Sequence, residues 1–182
     1  MQRKTLAKRP RALRRTITVD PGWNTAIAFW HGEWMPMMHV IGLPRSMRGK
    51  DVDWGVQVYH MASQFQNVMS CINEVMFPDS LTRVIIEGVE MWEGNLTSMT
   101  ATRRGDTFRL ASLAGAYAGV ATMLGVKEID IWPARRWKGQ LTKAATEARV
   151  KRVWNRYLIE HKSMSDHEYD AIGLGFAAMG EL

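Results

Sequence analysis

Thr82-Arg83-Val84-Ile85-Ile86-Glu87-Gly88 is the stretch of sequence from which the fold is read. A continuous apolar run closed by polar residues and a glycine marks a strand buried on both faces, as in a mostly parallel sheet covered by helices. Its last side chain before the glycine is a carboxylate. Sheets of this class hold their ligands at the carboxyl ends of their strands, so Glu87 is a candidate functional residue by position. The plainer alternative is a strand end that faces solvent.

Working outward, Thr16-Ile17-Thr18-Val19 alternates β-branched residues and runs into the turn Asp20-Pro21-Gly22, which predicts a first strand. Residues 25–30 and 34–41 are apolar and β-prone, with His31-Gly32-Glu33 as a turn between them, so a three-stranded meander is expected. Over residues 54–76, Val56, Tyr59, His60, Ser63, Val68, Ile72 and Val75 fall near helical spacing, and Pro78 closes the segment. Residues 106–124 are rich in alanine, leucine and small side chains, with Gly115 and Gly119 four apart on one face. This predicts a close-packed helix, either a crossover against the sheet or a contact between two copies. A fifth strand is expected over residues 127–132, ending at Pro133. A basic helix follows over residues 146–161, with Val150, Val153, Trp154 and Tyr157 inward, and a last helix opens at Ser165. Three strands, helix, strand, helix, strand and two helices imply an α/β layer fold with a five-stranded mixed sheet flanked by helices. The meander lies at one side and the parallel strands at the other.

With 182 residues the chain can bury one sizeable core, and a single domain is expected over residues 16–182 behind a flexible basic arm of residues 1–15. Cys71 stands alone, so no intramolecular disulfide can form, and no zinc-ligand spacing occurs. No run reaches the ~18 apolar residues that cross a bilayer. We expect a cytoplasmic protein with no membrane partner, the basic arm leaving organellar targeting open. Charge is unevenly spread: the net charge is +6, yet residues 1–15 carry seven bases and no acid, so the remainder is at −1. Residues 51–100 hold seven acids and one base, whereas residues 127–162 hold ten bases and four acids. An acidic cluster beside a basic surface suits a metal-dependent nuclease, and a basic arm suits contact with nucleic acid.

If the strands ending at Asp20 and Glu87 are parallel neighbours, their carboxylates meet at one sheet edge. Ser165-Asp166-His167-Glu168-Tyr169-Asp170-Ala171 adds His167 and Asp170, three apart on one helical face. Ser165 and Glu168 form a capping box, which accounts for Glu168 without any metal, and the helix dipole accounts for Asp166. Small residues at Ala171, Gly173, Gly175, Ala177, Ala178 and Gly180 allow this helix to approach the sheet. Oxygen ligands suit Mg²⁺, and imidazole is better tolerated by Mn²⁺; His167 is either a ligand or a base acting on the attacking water.

Four pieces in order, Thr18-Val19-Asp20-Pro21-Gly22, Val84-Ile85-Ile86-Glu87-Gly88-Val89, Trp132-Pro133 with Trp137-Lys138-Gly139, and His167-Glu168-Tyr169-Asp170-Ala171, resemble the RuvC family of Holliday-junction resolvases in the small form of bacteriophage-borne members. The resemblance spans residues 16–178. It implies a ribonuclease H-like fold, a homodimer, Mg²⁺ or Mn²⁺ dependence and paired nicks across a four-way DNA junction. It also implies that Asp20, Glu87, His167 and Asp170 form the catalytic, metal-binding set. Expected DNA contacts are Lys138, Lys143 and Arg149, then Arg103, Arg104, Arg135 and Arg136, with Trp92. The chain departs from the family pattern in two places: Glu90 stands where members often carry a junction-wedging aromatic, with Trp92 two positions on, and Glu147 stands where a lysine is usual. A ribonuclease H-type enzyme, a less selective branched-DNA nuclease and an inert junction-binding protein are the alternatives on the same fold.

Overall fold

The computed structural model describes residues 13–32, 36–49, 51–75, 83–89, 105–139, 141–154, 164–180 and 182. Strands β1 (Leu13–Asp20), β2 (Asn24–Gly32) and β3 (Met37–Gly42) lead into helix α1 (Trp54–Val75). Strand β4 (Arg83–Gly88), helix α2 (Asp106–Met123) and strand β5 (Glu128–Pro133) follow, then helices α3 (Ala134–Lys138), α4 (Lys143–Trp154) and α5 (Asp166–Met179). The short α3, enclosed between Pro133 and Gly139, was not expected. The basic helix starts at Lys143, three residues earlier than expected, and the expected inward Tyr157 lies outside the described residues.

The sheet order is β3-β2-β1-β4-β5. β1 pairs antiparallel with β2, and β2 with β3, so the expected meander is present, while β1, β4 and β5 run parallel. This is the five-stranded mixed sheet flanked by helices that the element order implied. β1 begins at Leu13, before the expected Thr16, and an irregularity in pairing between Leu13 and Thr16 coincides with Arg15 at φ 49°.

Alternation along the strands divides the core in two. Ile17, Val19, Val84 and Ile86 point to one face, where Met61, Phe65 and Met69 of α1 and Leu113, Tyr117 and Val120 of α2 cover them. Of the residues expected at helical spacing, Ile72 is in the buried stripe of α1 and Val68 packs against it, whereas Val56 and Tyr59 are exposed. Methionine and phenylalanine at positions 61, 65 and 69 fill the irregular space under the sheet, where flexible or flat side chains fit better than branched ones. In α2, Gly115 and Gly119 lie on the exposed side with nothing near them. The inward residues make α2 a crossover between β4 and β5.

On the other face, Ala26, Ala28 and Trp30 of β2 meet α4 and α5, and Ile85 and Trp132 meet Trp137 and Leu174. Here α5 rides close to the sheet. A Cβ at Gly175 would stand 2.0 Å from the Trp30 ring, and one at Gly173 would stand 2.5 Å from the Trp137 ring. The Thr18 hydroxyl donates to the carbonyl of Ala171 at 2.6 Å and accepts from the Trp30 indole at 2.9 Å. Sheet and helix are thus bolted together one residue past Asp170.

Candidate metal centre

The parallel register pairs Val19 with Ile86, which brings the next residues, Asp20 and Glu87, side by side at the carboxyl edge of the sheet. Both follow the alternation onto the α5 face. The turn after Asp20 is held by Thr25, whose hydroxyl accepts from the Gly22 amide and donates to its carbonyl. Helix α5 starts at the same edge, with Ser165 and Glu168 making the expected capping box. Its first turns present His167 and Asp170.

One carboxylate oxygen from each of Asp20, Glu87 and Asp170 lies within 4.8 Å of the others. His167 is brought to the site but is outside this convergent group: its Nδ1 is 2.6 Å from Asp20 Oδ2. The imidazole is thus a partner of a carboxylate, and any ligand or proton it exchanges at its other nitrogen passes through Nε2. Asp166 pairs with Lys143, and Asp130 on β5 is engaged twice by Arg83, at 2.6 and 2.8 Å, so neither is available to the cluster.

The partners of Glu87 are distant in the chain. Lys138 Nζ stands 3.1 Å from Glu87 Oε1 and 2.8 Å from Asp170 Oδ2, and the Trp137 indole donates to Glu87 Oε2 at 3.0 Å. The adjacent Trp137-Lys138 pair on α3 therefore reaches into the acid cluster as one unit. Burial pushes the Glu87 carboxyl up to about 7, with the Lys138 charge opposing and Asp20 and Asp170 adding to the rise. Asp20 is also raised, by burial first, against the hydrogen bond from His167. The Asp20 hydrogen bond raises His167 above the usual imidazole value. Lys138 rises too, since Glu87 and Asp170 together outweigh its burial. Three acids compressed this closely hold an excess of negative charge, which an oxygen-seeking divalent cation is suited to balance.

The expected DNA-contacting residues divide. Lys143 and Lys138 line a cleft of about 270 Å³ that includes His167 and Asp170. Arg149 is half-buried on α4, and Arg135 and Arg136 are exposed on α3, Arg136 stacked over Trp132 at 3.9 Å. None of these three lines the clefts at the acids. Arg103, Arg104 and Trp92 lie outside the described residues. Glu147, in the place of the usual lysine, forms an ion pair one turn along α4 with Lys151 at 2.5 Å.

No protein-family model matches the sequence, and no curated protein matches it. Solved structures do. Thermus thermophilus RuvC in complex with a Holliday junction substrate superposes with a TM-score of 0.62 at 15% identity, covering 91% of this chain and 95% of that one. A second structure of Thermus thermophilus RuvC gives a TM-score of 0.56 at 12% identity, covering 91% of this chain and 96% of the other. The likeness extends over nearly the whole of both chains, and this chain has the ribonuclease H-like fold of RuvC.

Proposed function

We propose that the protein is a divalent-metal-dependent endonuclease that resolves four-way DNA junctions by paired symmetric nicks. The observation that carries this reading is the convergence of Asp20, Glu87 and Asp170 at the carboxyl edge of a RuvC-like sheet. Asp20, Glu87 and Asp170 would hold Mg²⁺ or Mn²⁺, with His167 completing the catalytic set. Such an ion, when bound, supplies a nucleophilic water near neutral pH and stabilises charge on the leaving oxygen.

The chain's own residues prepare that chemistry. His167 fixes the orientation of Asp20, as groups hydrogen-bonded to ligating carboxylates do, and Trp137 holds one Glu87 oxygen so that the other faces the cluster. Lys138 balances part of the carboxylate charge and is placed to meet a scissile phosphate. Lys143 would contact the flanking backbone, with Arg149, Arg103, Arg104, Arg135 and Arg136 further out and Trp92 near the junction centre. The basic residues of the N-terminal arm add sequence-independent attraction to DNA. Two copies are needed for two symmetric nicks, so a homodimer is part of the proposal.

The test is a substrate panel. Labelled four-way, three-way and linear DNA and an RNA–DNA hybrid are incubated with Mg²⁺, with Mn²⁺ and with chelator. Metal-dependent cleavage confined to the four-way substrate is expected. Preference for the hybrid would indicate a ribonuclease H-type activity, and binding without cleavage would indicate an inert junction binder.

A further inference from the structure

The acid cluster stands where two clefts meet. The larger, of about 730 Å³, contains the three carboxylates together with Arg48 and Arg109; the smaller, of about 270 Å³, contains Lys138 and Lys143. His167 and Asp170 line both. Asp170 is thus shared by two clefts that each carry cations, a layout that matches a polyanionic strand passing a cation-loaded centre.

Most of those cations are already neutralised. Lys138 is held by Glu87 and Asp170, Lys143 by Asp166, and Arg109 faces Asp106 at 3.8 Å. Arg48 is different. Its Nε donates to the carbonyl of Leu43 at 2.8 Å and one terminal nitrogen donates to the Asn24 side-chain oxygen at 2.8 Å. Both acceptors are neutral, and among the described residues no carboxylate pairs with it. The Leu43 carbonyl belongs to a residue packed in the core, whereas Asn24, at the start of β2 opposite Gly42, offers an exposed side-chain oxygen. A guanidinium has five N–H donors, and two anchors leave roughly three of them free and aimed by the anchors. Its full positive charge is retained, and the two hydrogen bonds pre-order a long side chain that stays exposed to the groove.

We propose that Arg48 is a substrate-binding residue: it takes a backbone phosphate of the strand that passes over Asp20, Glu87 and Asp170 and adds affinity for that strand. The inference rests on the nuclease reading above and adds to it a contact from the larger cleft, which Lys143 does not line. A phosphate is the group that fits, because a planar fork with free donors and no counter-charge binds tetrahedral oxyanions through paired hydrogen bonds. Asn24 is a positioning residue that acts through Arg48.

The experiment measures equilibrium binding of a labelled four-way junction in chelator across a salt series, followed by Mg²⁺ kinetics, for wild type, Arg48→Ala, Arg48→Lys and Asn24→Ala. For Arg48→Ala we expect about a tenfold weaker Kd and a log–log salt slope shallower by ~0.9. We also expect a raised KM with kcat within about twofold, as for a lost uniform contact. Arg48→Lys keeps the salt slope and recovers only part of the affinity, since charge remains but the fork is gone. Asn24→Ala weakens binding by a smaller factor with the slope retained. Mn²⁺ affinity by calorimetry and the thermal midpoint stay at wild-type values in all three. Wild-type binding with Arg48→Ala unchanged in Kd and slope overturns the Arg48 assignment alone. So does a variant that loses Mn²⁺ affinity, which would make Arg48 a structural support of the acids. A wild-type protein with no affinity for any DNA overturns the nuclease reading and this inference with it.

Discussion

At the scale of single residues, the site is an exercise in crowding negative charge. Glu87 is pushed up to about 7 and Asp20 and His167 are raised with it. A group raised in the folded state binds more protons there than in the unfolded chain, so stability is greatest below the unfolded value and falls as pH rises through the folded one. For Glu87 the window runs from 4.5 to about 7. Thermal midpoints measured in chelator are therefore expected to fall across that window, and Glu87→Gln to flatten the decline. Metal binds the deprotonated carboxylates, so added Mg²⁺ or Mn²⁺ restores most of the loss at the upper end. A wild-type midpoint that rises from pH 5 to pH 7 in chelator would refute the charge balance described. Lys138 is the opposing cation, and removing one partner of a buried ionic cluster costs about 3–5 kcal/mol. Because the Lys138 side chain keeps 20% of its surface exposed, the lower end applies. Lys138→Met is expected to melt several degrees lower in chelator and to recover part of that with divalent cation; equal melting of variant and wild type would remove Lys138 from the cluster.

At the scale of elements, the site depends on how high α5 rides above the sheet. Gly175 against Trp30 and the Thr18 bond to Ala171 fix that height next to Asp170. Over-packing a core costs about 1–3 kcal/mol in ordinary cases, and a methyl 2.0 Å from the buried Trp30 ring exceeds the ordinary case. Gly175→Ala is therefore expected to destabilise by at least ~3 kcal/mol, measured by denaturant unfolding, whereas Thr18→Val, which removes two hydrogen bonds but keeps the volume, costs about 1–3 kcal/mol. A Gly175→Ala protein as stable as wild type would show that the helix has freedom the packing denies. These elements also show where sequence was informative. Strand ends at Asp20 and Glu87, the capping box and the small-residue face of α5 follow from local pattern, because turn chemistry, alternation and caps are local interactions. The N-terminal part of the buried stripe of α1, where Met61 rather than Val56 or Tyr59 turns inward, and the one-turn α3 did not follow. Which face of α1 turns inward is decided by the shape of the sheet beneath it, and α3 is too short to show a helical period.

At the scale of the whole molecule, the fold brings together groups that sequence separates by many tens of residues. Asp20 and Glu87 could be paired in advance by assuming adjacent parallel strands, and the sheet order supports that step. The placement of Lys138 among the acids, the detachment of His167 from the convergent oxygens and the anchoring of Arg48 could not, since each arises from tertiary contact alone. Metal-dependent cleavage of a four-way junction by the convergent carboxylates is checked by mapping cuts on a junction labelled in each strand in turn, with wild type and Asp20→Asn, in Mg²⁺ or Mn²⁺. Paired nicks at symmetry-related positions by wild type are expected, with loss of both in Asp20→Asn and junction binding retained. No cleavage by wild type with either cation, or equal cleavage by Asp20→Asn, would contradict it.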